Sequence, residues 1–493
     1  MGRRDALLRL SIMAALLLGG AMAPVFAADV KNLSVTVSSG TQANAYGGYT
    51  IEEGASALQN ALTLSGPAKV LGASAGGWSR WGNAEWNTLT IRLDEDGLLG
   101  PSDIVGGGVA ESEGGGAAVH NTVYIESGTV EGTVEGGVAV GINGVGDGTG
   151  DVLSNQVTMS GGTVYSVFGG ETGEGNANDN VVTIKGSAAV TGKSNAVYGG
   201  YTIDGNASGN IVNIEDDADI HGEIMGGYTR AGSLISGNKV NVTGGNVNEN
   251  TVYGVYTAYG DVLDNQAVIK GTGQAGSSDT NSVYAGFTNI GAAAGNILYI
   301  QDSAEIAGSA FAGYQGGFIS SETVERNQVF MSGGSVGGDL TGGGSNNGGE
   351  TLNNYVEITG GTVSGNVYSG FTDSADALEN TLTVAGGRVE GSLFGGYSNT
   401  GTANENKLTF SAGTAGSDAY GGYAQEGADG NEAVLSGTSV LEGNAAGGSS
   451  ARGEASGNSL TIKENSEVKG DAAGGDVYMG TISKNIITIQ YNA

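Results

Sequence analysis

The chain has 493 residues, of which 95 are glycine, three are proline and none is cysteine. A chain without cysteine has no disulfide framework and no thiolate metal site. Its formal net charge of −32 repels phosphate groups and anionic lipid headgroups, which disfavours nucleic acid or a membrane surface as a partner.

The N-terminal residues predict a signal peptide over residues 1–27. Arg3, Arg4 and Arg9 form a basic start, and an apolar run then precedes a small-residue cleavage site that ends at Ala27. This order of segments is typical of secretory signals. We therefore expect the mature chain to be exported, either to the cell surface and outer membrane or to the extracellular medium.

The mature sequence repeats an asparagine that is followed at positions +2 and +4 by apolar residues. The repeating asparagines are Asn60, Asn87, Asn121, Asn155, Asn180, Asn210, Asn238, Asn265, Asn296, Asn327, Asn354, Asn380, Asn406, Asn431, Asn458 and Asn485, with a degenerate earlier copy at Asn32. This alternation predicts a short strand with one buried face. Because the asparagine shares that face, we expect a buried ladder of hydrogen-bonded amides; the alternative is that asparagine merely tolerates a left-handed turn.

A second block lies a dozen or more residues further on and consists of an aromatic residue (once Met), two small residues and another aromatic. Examples are Tyr46–Tyr49, Tyr198–Tyr201 and Phe394–Tyr397. Gly-Gly-x-Val turns often lie between the two blocks. Each unit is therefore predicted to contain two or three strands, with glycines at the corners. The aromatic residues predict either an exposed stripe or, as the favoured interpretation, stacks with a structural role inside the coils.

A unit of about 27 residues is too small to bury its own apolar face and must stack on copies of itself. We therefore predict an all-β fold, a right-handed parallel β-helix (β-solenoid) of about 17 coils with a period near 27 residues. The repeat domain spans residues 28–493, and residues 28–86 form an N-terminal cap and the first coils. The C-terminal end reads as an uncapped coil, so we expect either a fragment of a longer protein or a partner that covers this end.

The signal peptide, strands such as Asn180-Val181-Val182-Thr183-Ile184, the Gly-Gly corners and the acidic, cysteine-free chain together resemble the passenger region of a Gram-negative autotransporter. The resemblance implies a β-helical surface protein, often an adhesin. Proteins of this kind also carry a C-terminal membrane β-barrel, whereas this sequence has no barrel-sized segment after the repeats. A separate translocator is therefore one of the expected partners.

All three tryptophans lie in one short stretch, and Trp78, Arg80, Trp81 and Trp86 are the candidate ligand-binding residues. Tryptophan rings stack on sugar rings and arginine binds hydroxyl groups, which predicts a contact with a glycan or a protein. The alternative, which we favour, is that these bulky side chains cap the first coils.

Catalytic and metal sites are not expected. His120 and His221 are the only histidines, which leaves little for a Ser/His/Asp arrangement. The acidic clusters Asp94-Glu95-Asp96 and Glu215-Asp216-Asp217 contain potential calcium ligands, but solvated turns explain them as well. We therefore predict a protein that is not an enzyme and has no cofactor, although paired carboxylates for glycoside hydrolysis stay open.

The leading hypothesis is thus a non-catalytic β-helical protein, secreted or at the cell surface, that presents a contact surface for adhesion or cell–cell interaction. The expected partner is a protein or glycan on a host or neighbouring cell, not nucleic acid. The alternative hypothesis is a carbohydrate-active, polysaccharide-degrading β-helix enzyme.

Overall fold

The computed structural model describes residues 29–101, 104–111, 115–141, 144, 147–193, 196–248, 250–276, 283–317, 321–346 and 348–490. The predicted signal peptide lies outside these residues. The chain divides into two compact units, Met1–Arg230 and Ala231–Ala493. Within the described residues, no helix is both long and apolar enough to cross a membrane.

Each unit is a parallel β-solenoid, which confirms the fold class predicted from the sequence. The two units together have about 16 turns with a period of about 27 residues. Each turn has four strand positions. The first strand follows the repeating asparagine, the second is short, the third carries the aromatic block, and the fourth ends just before the next asparagine. The prediction of two or three strands per turn was therefore too low.

The first strands of the first unit are Ser34–Val37, Ala61–Gly66, Thr88–Leu93, Thr122–Ser127, Gln156–Met159, Val181–Ile184 and Ile211–Ile214. Its second strands are Thr41–Gln42, Lys69–Val70, Leu98–Leu99, Ala189–Val190 and Asp219–Ile220. Its third strands are Ala45–Thr50, Ser74–Ser79, Val105–Glu111, Thr129–Val140, Thr163–Glu171, Val197–Thr202 and Ile224–Thr229, of which Thr129–Val140 and Thr163–Glu171 also include the second position. Its fourth strands are Val30–Lys31, Ala57–Leu58, Ala84–Glu85, Ala118–Val119, Val152–Leu153 and Ala177–Asn178.

The first strands of the second unit are Lys239–Val242, Gln266–Ile269, Ile297–Ile300, Gln328–Met331, Tyr355–Ile358, Thr381–Val389, Lys407–Ala415, Glu432–Leu441, Ser459–Lys463 and Ile486–Gln490, of which Thr381–Val389, Lys407–Ala415 and Glu432–Leu441 continue into the second position. Its second strands are Asn246–Asn248, Gln274–Gly276, Glu305–Ile306, Ser335–Val336, Thr362–Val363 and Glu467–Val468. Its third strands are Val252–Tyr259, Val283–Ile290, Ala310–Gln315, Leu340–Ser345, Val367–Thr372, Leu393–Ser398, Ala419–Ala424, Ala445–Ser450 and Ala472–Val477. Its fourth strands are Leu234–Ser236, Asp261–Leu263, Ala293–Ala294, Val324–Glu325, Thr351–Leu352, Ala377–Leu378, Ala403–Asn404, Gly427–Asp429, Glu454–Ser456 and Thr481–Ser483.

The core of each turn is formed by the alternating apolar residues of the first strand. Leu62 and Leu64 are fully buried in the first unit, and Leu382 and Val384 are buried to almost the same extent in the second. Each pairs in register with its equivalent in the next turn, for example Leu62 with Leu89. The period-two pattern of the sequence therefore identified the buried face correctly.

The repeating asparagines form the predicted ladder inside the solenoid. The side-chain nitrogen of Asn354 donates hydrogen bonds to Oδ1 of Asn380, at 2.9 Å, and to the backbone carbonyl of Val324, at 2.9 Å. The backbone N–H of Asn354 donates to the same Oδ1 of Asn380, at 3.0 Å. Each buried amide is thus satisfied by its neighbours in the ladder and by a fourth strand, which confirms the ladder and excludes a mere turn preference.

The paired glycines of the aromatic block have a different role from the predicted one. Gly395 and Gly396 lie in the middle of a third strand, not at a corner. A Cβ at Gly396 would collide with the side chain of Asn406, and a Cβ at Gly395 would collide with the backbone of the neighbouring turn. Glycine is therefore required because the first and third strands pack almost backbone against backbone.

Corner glycines do occur in the Gly-Gly-x-Val turns. Gly162 and Gly387 both have φ of +82°, a conformation that costs other residues free energy. A second left-handed corner lies at the residue directly before each ladder asparagine. This residue is often not glycine; Gln59 and Glu379, for example, have φ of +55°.

Candidate functional site

The aromatic residues of the third strands lie on the outer face of each unit. In the strand Ala45–Thr50, the side chains of Ala45 and Thr50 are buried, and Gly48 faces the side chain of Asn60. Tyr46 and Tyr49 lie on the opposite side and stack on each other with their ring centroids 5.0 Å apart. Many of these rings are nevertheless buried within their stacks, with Tyr198 1% and Tyr284 4% exposed, which supports the favoured prediction of stacks with a structural role although they lie on the strand face opposite the ladder asparagines.

In the second unit these rings form two parallel rows. In the first row the ring of Tyr284 lies 5.2 Å from that of Tyr253 and 5.0 Å from that of Phe311. In the second row the ring of Phe287 lies 5.1 Å from that of Tyr256 and 5.7 Å from that of Tyr314. Adjacent turns place equivalent residues about 4.8 Å apart, so identical positions stack face to face.

A further set of rings continues the rows later in the second unit. The ring centroids of Tyr368 and Phe394 are 5.0 Å apart, and those of Phe371 and Tyr397 are 5.5 Å apart. The ring centroid of Tyr420 lies 5.7 Å from that of Phe394, and that of Tyr423 lies 5.4 Å from that of Tyr397. The stacked rings cover each other's faces, so their edges and tyrosine hydroxyls are what they present to solvent.

In the first unit, burial of the third-strand aromatic residues alters the tyrosine hydroxyls. Desolvation is the main cause that raises the pKa of Tyr46 to about 12, with further contributions from Tyr49 and Glu111. Desolvation likewise raises the pKa of Tyr201 to about 12. The hydroxyls therefore stay protonated at physiological pH and act as neutral hydrogen-bonding groups.

Three of the four predicted site residues come together in the first unit. Trp78 is 8% exposed and packs against Tyr46, with ring centroids 5.4 Å apart. Its indole nitrogen donates a hydrogen bond of 2.7 Å to Glu111, and the same carboxylate lies 3.5 Å from Nε of Arg80. The guanidinium carbon of Arg80 lies 5.8 Å from the centroid of the Trp81 ring.

Trp86 makes a separate ring contact at the corner that precedes the asparagine ladder. It is 56% exposed and stacks on His120, with ring centroids 4.2 Å apart. Both residues have φ near +55°. Sequence reasoning missed Glu111 and His120 as partners, because each lies 33 or 34 residues from the tryptophan that it contacts and only the register of the turns brings it close.

Two carboxyl groups also meet on the outer face of the third strands in the first unit. Glu135 is 1% exposed and forms a side-chain hydrogen bond with Glu171. Desolvation raises the pKa of Glu171 to about 7, although the hydrogen bond from Glu135 opposes this shift. Burial of the Glu171 carboxyl thus disfavours its charged form.

The acidic clusters considered as calcium ligands have local contacts. Asp94 accepts a hydrogen bond from the backbone N–H of Asp96, at 3.0 Å, as in a turn. Asp219 contacts His221 at 2.9 Å. Among the residues that the structure describes, no group of three or more His, Asp or Glu side chains is placed to hold a metal ion.

The fold and these surfaces define a parallel β-solenoid repeat protein with rows of outward-facing aromatic rings. Comparisons with protein-family models, with curated proteins and with solved structures gave no match for this chain.

Proposed function

We propose that this protein is a non-catalytic β-solenoid of the autotransporter-passenger type that is exported and mediates adhesion to a host or neighbouring cell. The observation that carries the proposal is the outward placement of the aromatic rows. Half-buried tyrosine edges such as those of Tyr256, Tyr397 and Tyr423 combine apolar area with hydroxyl groups, and such residues are enriched at protein contact surfaces.

The charge of the chain is consistent with this role. The net charge of −32 favours the solubility of an exported protein and repels anionic lipid surfaces. A surface protein or glycan therefore fits the aromatic rows better than a lipid headgroup does.

Cell binding of the chain from residue 28 onward tests the proposal. Replacing Tyr256, Tyr397 and Tyr423 together by serine should reduce binding at least tenfold. Replacing Tyr124 and Tyr165, which are exposed but lie outside the rows, should leave binding unchanged. Circular dichroism and thermal melting check that both variants are folded, and equal binding by both would contradict the proposal.

The carboxyl pair supports a second candidate function, the hydrolysis of a polysaccharide. A carboxylic acid that keeps its proton near pH 7 is suited to general-acid catalysis. Turnover of pectin-like or host glycans that is abolished by Glu171→Gln and retained by Glu174→Gln would overturn the non-catalytic proposal. We expect no turnover from the unmodified chain.

A further inference from the structure

The later set of rings in the second unit has an acidic residue at each edge. The three strands Val367–Thr372, Leu393–Ser398 and Ala419–Ala424 each carry two outward rings, and we call their outer side the C-terminal ring face. Asp373 directly follows the first of these strands, and Asp418 directly precedes the last. Because the strands are parallel, these two partly exposed aspartates lie on opposite edges of the face.

Both aspartates have neutral hydrogen-bonding partners. Oδ2 of Asp418 accepts a hydrogen bond of 3.1 Å from the hydroxyl of Tyr420, and its Oδ1 accepts one of 2.7 Å from the backbone N–H of Asn444. Oδ1 of Asp373 accepts a hydrogen bond of 2.8 Å from the side chain of Asn399. These bonds orient the two carboxylates but do not compensate their negative charge, so both attract a cation.

The excess of negative charge extends over the C-terminal ring face. Residues 364–375, 390–401 and 416–427, which include its three strands, contain four acidic residues and no lysine or arginine. Burial is the main cause that raises the pKa of Tyr420, and the charge of Asp418 raises it further. The aspartates at the edges therefore act on the ring hydroxyls as well as on their immediate neighbours.

The first unit differs, because arginines compensate acids beside its rings. Glu111, whose charge acts on the hydroxyl of Tyr49, lies 3.5 Å from Nε of Arg80. Oδ1 of Asp204 lies 2.9 Å from Nη2 of Arg230. The described segments that form the C-terminal ring face contain no basic residue for such a pair, so a partner has to supply the positive charge.

Ring edges bordered by uncompensated carboxylates fit lysine and arginine side chains. Each of these side chains has an apolar stem that packs along apolar surface and a charged head that pairs with a carboxylate. The head of arginine can also bind a carboxylate through two parallel hydrogen bonds. A neutral glycan would contact the rings but would gain nothing from the charge, and an anionic partner would be repelled.

We infer that the C-terminal ring face binds a segment of a partner protein that is rich in lysine and arginine. The inference rests on the proposed adhesive function and names the chemical class of the partner. The aromatic rings provide the apolar contact, and Asp373 and Asp418 provide the charge at the two edges.

Calorimetry with two synthetic peptides tests the inference on the chain from residue 28 onward. One peptide repeats the sequence Arg-Ser-Gly four times, and the other has glutamine in place of each arginine. We expect the basic peptide to bind and the neutral peptide not to bind. Raising NaCl from about 50 mM to about 500 mM shortens the screening length about threefold and should weaken binding at least tenfold.

Variants of matched charge separate binding at this face from diffuse attraction to an acidic chain. Asp373→Asn combined with Asp418→Asn should weaken binding of the basic peptide at least tenfold. Glu379→Gln combined with Glu405→Gln removes the same charge from two exposed corners and should weaken it less than twofold. Tyr397→Ser leaves the net charge unchanged and should weaken binding at least threefold, because the peptide loses apolar contact. Circular dichroism and thermal melting check that every variant is folded.

The inference is overturned if the basic peptide does not bind, if salt has no effect, or if the two charge-matched variants lose affinity equally. It is also overturned if lactose or mannose competes with cell binding and the basic peptide does not, because the partner would then be a glycan.

The same variants distinguish this inference from the proposed function. Cell binding that survives the two aspartate replacements but is lost when Tyr256, Tyr397 and Tyr423 are replaced would refute only the basic partner and leave the adhesive function standing. Peptide binding that depends on the C-terminal ring face, without any cell binding, would refute the adhesive function and leave the site for a basic segment in place.

Discussion

At the scale of single residues, the asparagine ladder is the feature whose energetics depend most on complete hydrogen bonding. Oδ1 of Asn380 accepts from both the backbone and the side chain of Asn354, and its own Nδ2 donates to the carbonyl of Thr351, at 2.9 Å. Removing one amide therefore leaves several buried polar groups unpaired at once. Each such group costs about 1–3 kcal/mol.

Asn380→Leu keeps the branched shape of the side chain but removes all of these bonds. We expect the free energy of unfolding of the second unit to fall by about 3 kcal/mol or more, since at least two buried groups lose their partners. Urea unfolding followed by circular dichroism measures this change. Asn399→Leu, at an exposed position, is the matched control and should change stability by less than about 0.5 kcal/mol.

Glu171 gives the first unit a dependence on pH. Its pKa in the folded chain, about 7, lies above the ordinary value of 4.5, so folding favours the protonated form. Its contribution to stability is fully present below pH 4.5, falls as the pH rises to about 7 and is constant above that. Glu171→Gln should therefore leave stability unchanged at pH 4 and raise it at pH 8, on the order of 2 kcal/mol after allowance for partial exposure.

Thermal melting between pH 4 and pH 8 checks this prediction. Glu174→Gln changes an exposed carboxylate three residues further on and should follow the unmodified chain. A Glu171→Gln variant with an unchanged pH profile would show that the carboxyl pair does not hold a proton near neutral pH.

The sequence predicted the ladder but not the carboxyl pair. From Asn60 onward the ladder asparagine recurs at a fixed offset from two apolar residues, so its inward position follows from period-two alternation. In the first turn Leu33 takes the ladder position, and Asn32 lies in the left-handed corner instead. Glu135 and Glu171 lie in successive turns of unequal length, and their third strands pair with a register shift between Val130 and Thr133. No local sequence pattern indicates that register shift, so the contact between the two carboxyl groups could be identified only from the structure.

At the scale of strands, the short fourth strands were missed for a similar reason. Ala57–Leu58 and Ala377–Leu378 have two residues each, too few to show an alternation. They are identifiable only through their parallel pairing with the same position in the next turn, for example Ala377 with Ala403. The first and third strands, which are longer and carry the repeated motifs, were both predicted.

The corner between the fourth strand and the ladder asparagine has the same backbone in successive turns but different residues. Glu379 has φ of +55° and Gly457 has φ of +66°, each directly before a ladder asparagine. A left-handed conformation costs a residue other than glycine about 1–2 kcal/mol. The cost is offset in part because glycine loses more backbone entropy on folding.

Exchanging the residue types at this corner should change stability in opposite directions. Glu379→Gly should stabilise the second unit by about 0.5–1 kcal/mol, and Gly457→Ala should destabilise it by about 1 kcal/mol. No heavy atom lies within 4 Å of a Cβ added at Gly457, so packing does not contribute. Calorimetric melting of both variants measures the effect, and changes of the same sign would contradict this explanation.

At the scale of the whole chain, charge is the dominant long-range term. The sequence has 51 acidic residues and 19 basic residues, so most carboxylates have no basic partner available. Several of the basic residues bind a carboxylate in the next turn, such as Arg92 with Glu126 at 2.7 Å and Lys407 with Glu432 at 3.0 Å. These pairs are exposed and contribute little each, whereas repulsion acts among all the remaining acids.

Salt should therefore stabilise this protein, because screening of the excess repulsion outweighs the weakening of the few exposed ion pairs. Raising NaCl from about 10 mM to about 500 mM shortens the screening length from about 30 Å to less than 10 Å, and the melting temperature should rise by several degrees. Calcium and magnesium chloride at equal ionic strength should raise it equally, since the described residues contain no cluster placed to bind a metal ion. A rise with calcium that clearly exceeds the rise with magnesium would instead identify a specific calcium site, with Asp94-Glu95-Asp96 and Glu215-Asp216-Asp217 as the first positions to mutate.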